Sequence, residues 1–469
     1  MWMLAYSELL LFAAVFFALS AIDELFVDLA YLWLRATGRL VQPVPAWLTA
    51  PPAQPRKSPG HPPGQPLLGR AAVFIPAWRE ARVVGTTVDH ALAAWPQPEL
   101  TIYVGCYAND PATVAVIREA ARRAGARLRL VVHDVPGPTC KADCLNRMYA
   151  AMRGDEEREG FRHRMVVLHD AEDMVDPAAL LLLDHAMETA DFVQLPVLAL
   201  PQARSRWIGG HYSDEFAEAH GKAMVVRGAL GAALPGAGVG CAIGRGMLDR
   251  LAAEGPLGHP FGAGSLVEDY ELGLNVARLG GRSRFLRVRA DDGRLVATRA
   301  YFPARLAAAV RQKTRWTLGI ALQGWDRIGW RGRWLDRYML LRDRRGPFGA
   351  LLLALGYVLL AAAALHLALV AADLAEPVRV EGWVAILLSA NLAFLLWRAA
   401  WRWAFTAREF GWREGMRGVL RIPVSNLVAI LAAWRALLAY GRSLRGEAPR
   451  WDKTEHDLHP AAEPQKLAA

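Results

Sequence analysis

The chain has 469 residues, enough for a large core and more than one structural unit. Its formal net charge of +10 comes from scattered Arg residues that gather beside long apolar stretches, which argues against nucleic-acid binding and for membrane-flanking charge. The four Cys (106, 140, 144 and 241) form no secreted disulfide pattern; the CxxxC at 140–144 lacks further metal-ligating partners in sequence and reads as reduced thiols in a reducing compartment.

At the amino end, Leu9 to Ile22 is apolar and reaches spanning length if Trp2 to Tyr6 is included; "MWMLAYSE" lacks the basic start of a cleaved signal, so residues 1–42 are expected to be an anchor with an interfacial helix. Residues 43–70 are Pro-rich and read as a linker. A regular alternation follows. Strands are expected at 71–76, 99–106, 128–133 and 165–170, and helices at Glu80–Trp95, Pro111–Gly125 and Lys141–Met152, with Asn109 and Asp110 as capping residues. Strand alternating with helix predicts an α/β domain over 71–300 with a mostly parallel sheet, whose ligand edge lies at the carboxyl ends of the strands. A dinucleotide fingerprint is missing after the first strand, where "IPAWREAR" stands, and there is no P-loop.

The chemistry concentrates at that edge. "MVVLHDAEDMVDP" runs an apolar strand into Asp170, Glu172, Asp173 and Asp176. Clustered carboxylates repel unless a cation sits among them. An oxygen-only D-x-E suits Mg²⁺ or Mn²⁺, with a strand end projecting Asp170 and Glu172 to one side; a solvated turn with Asp176 as a helix cap is the alternative. "PGPTCKADCLN" places Lys141 at a helix start, a natural diphosphate site, or else an ordinary surface Lys. "SLVEDYELGL" opens a helix with Glu268 and Asp269, which also suit its macrodipole. "RQKTRWTLG" puts Gln312, Arg315 and Trp316 within little more than a helical turn, a pattern that a membrane-surface helix with a snorkelling Arg also produces.

Residues 301–345 are Trp- and Arg-rich and are expected along the bilayer surface. Two spanning helices are expected within 346–404, beginning with 25 residues free of Asp, Glu, Lys and Arg from Phe348 to Ala372. Residues 405–445 contain Arg421, Pro423, Asn426 and Arg435, so Gly418 to Tyr440 is expected to be interfacial, leaving three spans in all. Arg35, Arg39, Arg56 and Lys57 after the first span, and Arg398, Arg402, Arg408, Arg413 and Arg417 after the last, predict that the α/β domain is cytoplasmic.

The order D-x-E, ED, QxxRW, membrane helices resembles the processive membrane glycosyltransferases of family 2, which include the cellulose, chitin and hyaluronan synthases. "IPAWREA", "YVGCYANDPAT", "LPGAGVGCAIGR" and "WDKTEH" narrow the resemblance to the NfrB-type inner-membrane glycosyltransferases, linked to phage adsorption and exopolysaccharide secretion. The cyclic-di-GMP-binding domain that several of these carry after "WDKTEH" is not expected here. The resemblance implies a GT-A fold and an inverting transferase of the bacterial inner membrane. It would move a sugar, with an N-acetylhexosamine such as N-acetylmannosamine leading, from a UDP-sugar to a growing polysaccharide, together with a possible outer-membrane export partner. It further implies that Asp110 holds the uridine end and Asp170 the nucleotide, with Glu80 and Gln312 also on the donor side. Glu172, with Asp170, would bind Mg²⁺ or Mn²⁺. Lys141 and Arg315 would neutralise the diphosphate, and Asp269, with Glu268 next in line, would be the general base. Trp316 would stack on the acceptor, Gly238 would let backbone approach the glycan, and residues 446–469, through Lys453, would close over the donor as a gating tail. A non-processive lipid-linked sugar synthase and a non-catalytic secretion or phage-receptor scaffold are the alternatives; QxxRW argues against the first and the intact acid cluster against the second.

Overall fold

The computed structural model describes residues 2–40, 65–377, 381–447 and 458–462. The expected alternation is present. β1 (Ala71–Pro76), β2 (Leu100–Tyr107), β3 (Leu128–His133) and β4 (Met165–Leu168) pair in parallel, with Ala71 opposite both Leu100 and Met165. The helices between them are Val84–Ala94, Pro111–Ala124 and Lys141–Glu159. Side chains of β1 alternate between two cores: Ala71, Val73 and Ile75 pack with Trp95 and Leu180, and Ala72 and Phe74 with Met148 and Phe192. Burial on both faces is why these strands read as unbroken apolar runs. Removing the Phe74 ring would cost about 3–5 kcal/mol by the usual core truncation rule.

Short strands extend the sheet beyond the four expected. β5 (Phe192–Gln194), β7 (Cys241–Gly244) and β8 (Ser283–Phe285) complete a seven-stranded sheet in the order β3-β2-β1-β4-β7-β5-β8, in which β7 runs antiparallel to β4 and β5. β6 (Val197–Ala199) and β9 (Thr298–Ala300) form a separate parallel pair.

Among the described residues, four helices are long and apolar enough to cross a membrane, one more than expected: Ala5–Ala36, Gly346–Ala371, Gly382–Phe410 and Ile422–Ser443. The fourth overlaps the segment expected to be interfacial. Arg421 precedes it and is fully buried, with Nη2 2.6 Å from Asp214 Oδ1 and Nε 2.8 Å from Oδ2. Asp214, in helix Ile208–Glu218, is equally buried, in keeping with a structural role. The helix packs along Leu306–Trp316 and Gly346–Ala371; Thr314 donates to the Ala432 carbonyl at 3.4 Å, and near the far end Tyr440 donates to Asp326 at 3.4 Å. At the amino end, Glu24 bonds Arg342 at 2.8 Å and Asp28 is buried against Lys222, which fixes the last third of helix Trp2–Ala36 to the α/β domain.

Candidate active site

β4 ends at Leu168, two residues before Asp170, so Asp170 and Glu172 sit on a turn rather than on the alternating face of a strand. The turn is held from within. The Asp173 carboxylate accepts the Asp170 N–H and a bond from His169 Nδ1, both at 2.9 Å. Asp176 accepts the Ala178 N–H at 3.0 Å and pairs with Arg299 at 3.1 Å. Both acids are buried, whereas Asp170 and Glu172 remain partly exposed. The four carboxylates therefore divide into two that build the loop and two that it presents.

The cation their clustering demands is Lys141. Its Nζ lies 2.6 Å from Asp170 Oδ1 and 3.8 Å from Glu268 Oε1. Lys141 opens the helix Lys141–Glu159, whose first turn is secured by the Asp143 carboxylate accepting the Cys140 N–H at 3.3 Å. The preceding turn is pinned to the end of β2: Asn109 exchanges two bonds with the Gly137 backbone, at 2.7 and 2.8 Å. A positive helix terminus and an ammonium thus face the acid loop together.

Glu268 and Asp269 begin the helix Glu268–Arg278, as expected. Burial pushes the pKa of both carboxyls up, and for Glu268 the adjacent Asp269 charge adds to it. Lys141 opposes the shift at both, and Arg315 opposes it at Asp269. Asp170, Glu268 and Asp269 together hold the Lys141 pKa above its ordinary value against the opposing effect of burial. Gly238 adopts φ +76°, and a Cβ there would lie 2.3 Å from Asp269 Oδ2 and 3.2 Å from Lys141 Nζ, so only glycine fits.

Gln312, Arg315 and Trp316 end the helix Leu306–Trp316 on the opposite wall. Gln312 is buried, and its Oε1 has no hydrogen-bond partner among the described residues. Trp316 stands edge-on to Tyr212, Phe216 and Phe302, at 6.2, 6.2 and 6.4 Å between ring centroids. One cleft is lined by Glu80, Lys141, Asp170, Glu172, Glu268, Asp269, Gln312, Arg315 and Trp316. Gly238 lies between Ala237 and Val239, which also line it.

Asp110 is not among the residues that line this cleft. Asp110 caps the helix Pro111–Ala124, accepting the Thr113 N–H at 3.3 Å, and its other oxygen accepts the Arg79 N–H at 2.6 Å; it supports the turn after β1 from behind the cleft wall. Lys453 lies outside the described residues, as does the rest of "WDKTEH". Two aromatic residues were missed. Trp78 and Tyr107 line the cleft with ring centroids 5.1 Å apart, and Tyr107 stacks on His133 at 5.1 Å. Their signal in the sequence is their position, two residues after β1 and at the last residue of β2.

Among the described residues no three His, Cys, Asp or Glu side chains are grouped so as to hold a metal ion by themselves. Two carboxylates in a cleft that also offers cations for phosphate nonetheless suit Mg²⁺ or Mn²⁺, which typically take one or two protein carboxylates and complete their shell with substrate phosphates and water. The residues present fit such an ion.

The family described as "Glycosyltransferase like family 2" matches residues 69–319, more than half of the chain. Bacteriophage adsorption protein B of Escherichia coli (strain K12) and bacteriophage N4 adsorption protein B of Escherichia coli O157:H7 are each 32% identical to 97% of this chain. The chain spans 63% of the length of these relatives. Among solved structures, the mannosyltransferase PcManGT from Pyrobaculum calidifontis, in complex with GDP-Man and Mn²⁺, superposes with a TM-score of 0.50 at 20% identity, covering 89% of this chain and 99% of that one. That likeness establishes the GT-A fold.

Proposed function

Because this chain belongs to the family 2-like glycosyltransferases, we propose that it is a membrane-embedded inverting transferase that moves a sugar from a UDP-sugar to a growing exopolysaccharide. The observation that carries this reading is the joining of Asp170, Lys141, Glu268 and Asp269 around one point, with Gln312, Arg315 and Trp316 across the same cleft.

Each residue has a task that its surroundings favour. Lys141, at a helix N-terminus, and Arg315 meet the diphosphate and stabilise it as it leaves. Asp170 and Glu172 would hold the divalent ion, which supplies positive charge to the departing diphosphate when bound. Asp269 is less buried than Glu268 and stands beside Lys141, with a basicity raised by its surroundings, which suits a group that takes the acceptor hydroxyl's proton near neutral pH. Trp316 offers a flat apolar face to a pyranose ring, and Gly238 leaves room for it beside Asp269. Trp78 and Tyr107 form an aromatic wall next to the acids, suited to the nucleobase.

The four apolar helices and the Arg-rich flanks support residence in the bacterial inner membrane with the α/β domain in the cytoplasm. The similarity to proteins named for bacteriophage adsorption supports a product that reaches the cell surface, through an export path shared with an outer-membrane partner. An N-acetylhexosamine donor is the first to try.

The deciding experiment incubates the purified chain in detergent with UDP-sugars and GDP-mannose, with Mg²⁺ or Mn²⁺, and follows nucleotide release and product length. Release from a UDP-sugar with lengthening glycan supports the reading. Release from GDP-mannose alone changes the donor, and no release from any donor removes the transferase.

A further inference from the structure

The turn that carries Asp170 and Glu172 is fastened by a segment almost three hundred residues later. Three of its carbonyls are bound by side chains of one neighbouring element. Ala171 O accepts from Thr87 Oγ1, Val175 O from His90 Nε2 at 3.0 Å, and Asp176 O from Trp95 Nε1 at 3.0 Å. All three donors lie on the helix Val84–Ala94 or at its end. Met174 exchanges both backbone bonds with Arg299, at 2.7 and 3.0 Å. The Asp173 carbonyl is bound by none of these. It lies 3.0 Å from Nε2 of His459.

The ring's tautomer follows from its second contact. His459 Nδ1 faces the Ala461 N–H at 3.1 Å and must accept there, so the proton is on Nε2 and is donated to Asp173. His459 is 2% exposed, Pro460 is buried behind it, and the His459 ring stands 6.1 Å from that of His90. Residues 458–462 therefore sit against both the turn and the helix that braces it. The residue they grip is the one whose carboxylate holds the Asp170 N–H.

We propose that His459 is a positioning residue, and that residues 458–462 act as a clasp fixing the Asp170–Asp173 turn in the shape that receives the metal and the donor diphosphate. A buried carbonyl left without a donor is costly, so loss of the ring's N–H loosens this turn in particular. The proposal rests on the transferase reading for what the turn binds, and on geometry alone for the clasp. It makes the C-terminal tail part of the donor site from behind, by a route separate from any closure over the cleft.

The test compares His459→Phe and His459→Gln in the full chain. Phenylalanine keeps the ring and removes the donor; glutamine keeps an amide donor at similar reach. Amide hydrogen exchange over residues 170–176, measured without metal or donor, should speed up about tenfold or more in the phenylalanine variant and stay near wild type in the glutamine variant. The Mn²⁺ concentration for half-maximal nucleotide release should rise about three- to tenfold, below the 10- to 100-fold typical of groups bonded directly to a metal ligand, with a smaller change in kcat. Removal of residues 458–469 should reproduce the exchange result by a second route. Unchanged exchange in both the phenylalanine variant and the truncation, or a Mn²⁺ requirement that does not move, overturns the clasp. If the wild-type chain releases no nucleotide from any donor, the transferase reading fails, and the exchange measurement still decides the clasp.

Discussion

The ammonium of Lys141 lies 2.6 Å from a carboxylate oxygen of Asp170, joining the start of one crossover helix to the loop after β4 across the cleft. An incoming diphosphate and its metal must exchange partners with this pair rather than enter an empty acid pocket. Asp170→Asn or Glu172→Gln should therefore abolish nucleotide release while the chain still folds. For Asp170 a modest loss of stability is expected as well, because an ion pair is lost along with the repulsion. Activity should also be lost in EDTA and return with Mg²⁺ or Mn²⁺. Full activity of either variant would remove the metal-site reading.

Asp269→Asn should keep donor binding and slow transfer by about 100- to 10,000-fold, the usual range for loss of a general base. Glu268→Gln should cost less. Transfer and UDP-sugar binding measured side by side decide between them; the reverse order would make Glu268 the base.

The raised pKa values of Glu268 and Asp269 bear on both stability and activity. For stability, a carboxyl whose folded pKa exceeds its unfolded value favours the fold below the unfolded value of about 4 and opposes it as pH rises through the folded value. Glu268→Gln should thus melt above wild type at pH 8, and that advantage should fade towards pH 4. For activity, the base must be ionised, so the acid limb of the rate profile should lie above the ordinary carboxylate range. Lys141 lowers both carboxyls, so the residual activity of Lys141→Met should show an acid limb moved to higher pH. A limb that stays in place would mean that neither acid controls the rate.

Gly238→Ala should inactivate the chain with little loss of global stability. The added methyl meets Asp269 Oδ2 at 2.3 Å, and the backbone there has φ +76°. Steady-state kinetics should show a fall in kcat that exceeds any rise in the donor KM.

The first half of the sheet was legible because β1 to β4 are continuous apolar runs separated by helical patterns with a clear cap at Asp110. β5, β7 and β8 were not, because three or four residues carry too little periodicity, and β7 reaches its place between β4 and β5 only through tertiary pairing. The acids of the cleft were legible as a set. Asp170 and Glu172 stood out by their D-x-E spacing and Asp176 as a cap, but the hold of Asp173 on the turn was not legible, since it depends on burial and partners rather than on residue type. Asp110 was legible as a cap, and its expected hold on the uridine end came from the resemblance alone. Arg421 was legible as a charge beside an apolar segment, but its buried partner Asp214, more than two hundred residues earlier, was not.

The contact between His459 and Asp173 also counts membrane crossings. The α/β domain and residue 459 share a compartment, so the chain between them must traverse the bilayer an even number of times. Three of the helices long and apolar enough to do so lie in that interval. All three cannot cross. Ile422–Ser443, about 33 Å long, is tied to the domain side by Arg421 before its first residue and by Tyr440 near its last, so it is the one expected to lie flat. A cysteine placed at position 462 of a thiol-free variant should then react with a membrane-impermeant maleimide only after the inner membrane is opened. Reaction in intact cells would make the parity odd and would separate the tail from the acid turn.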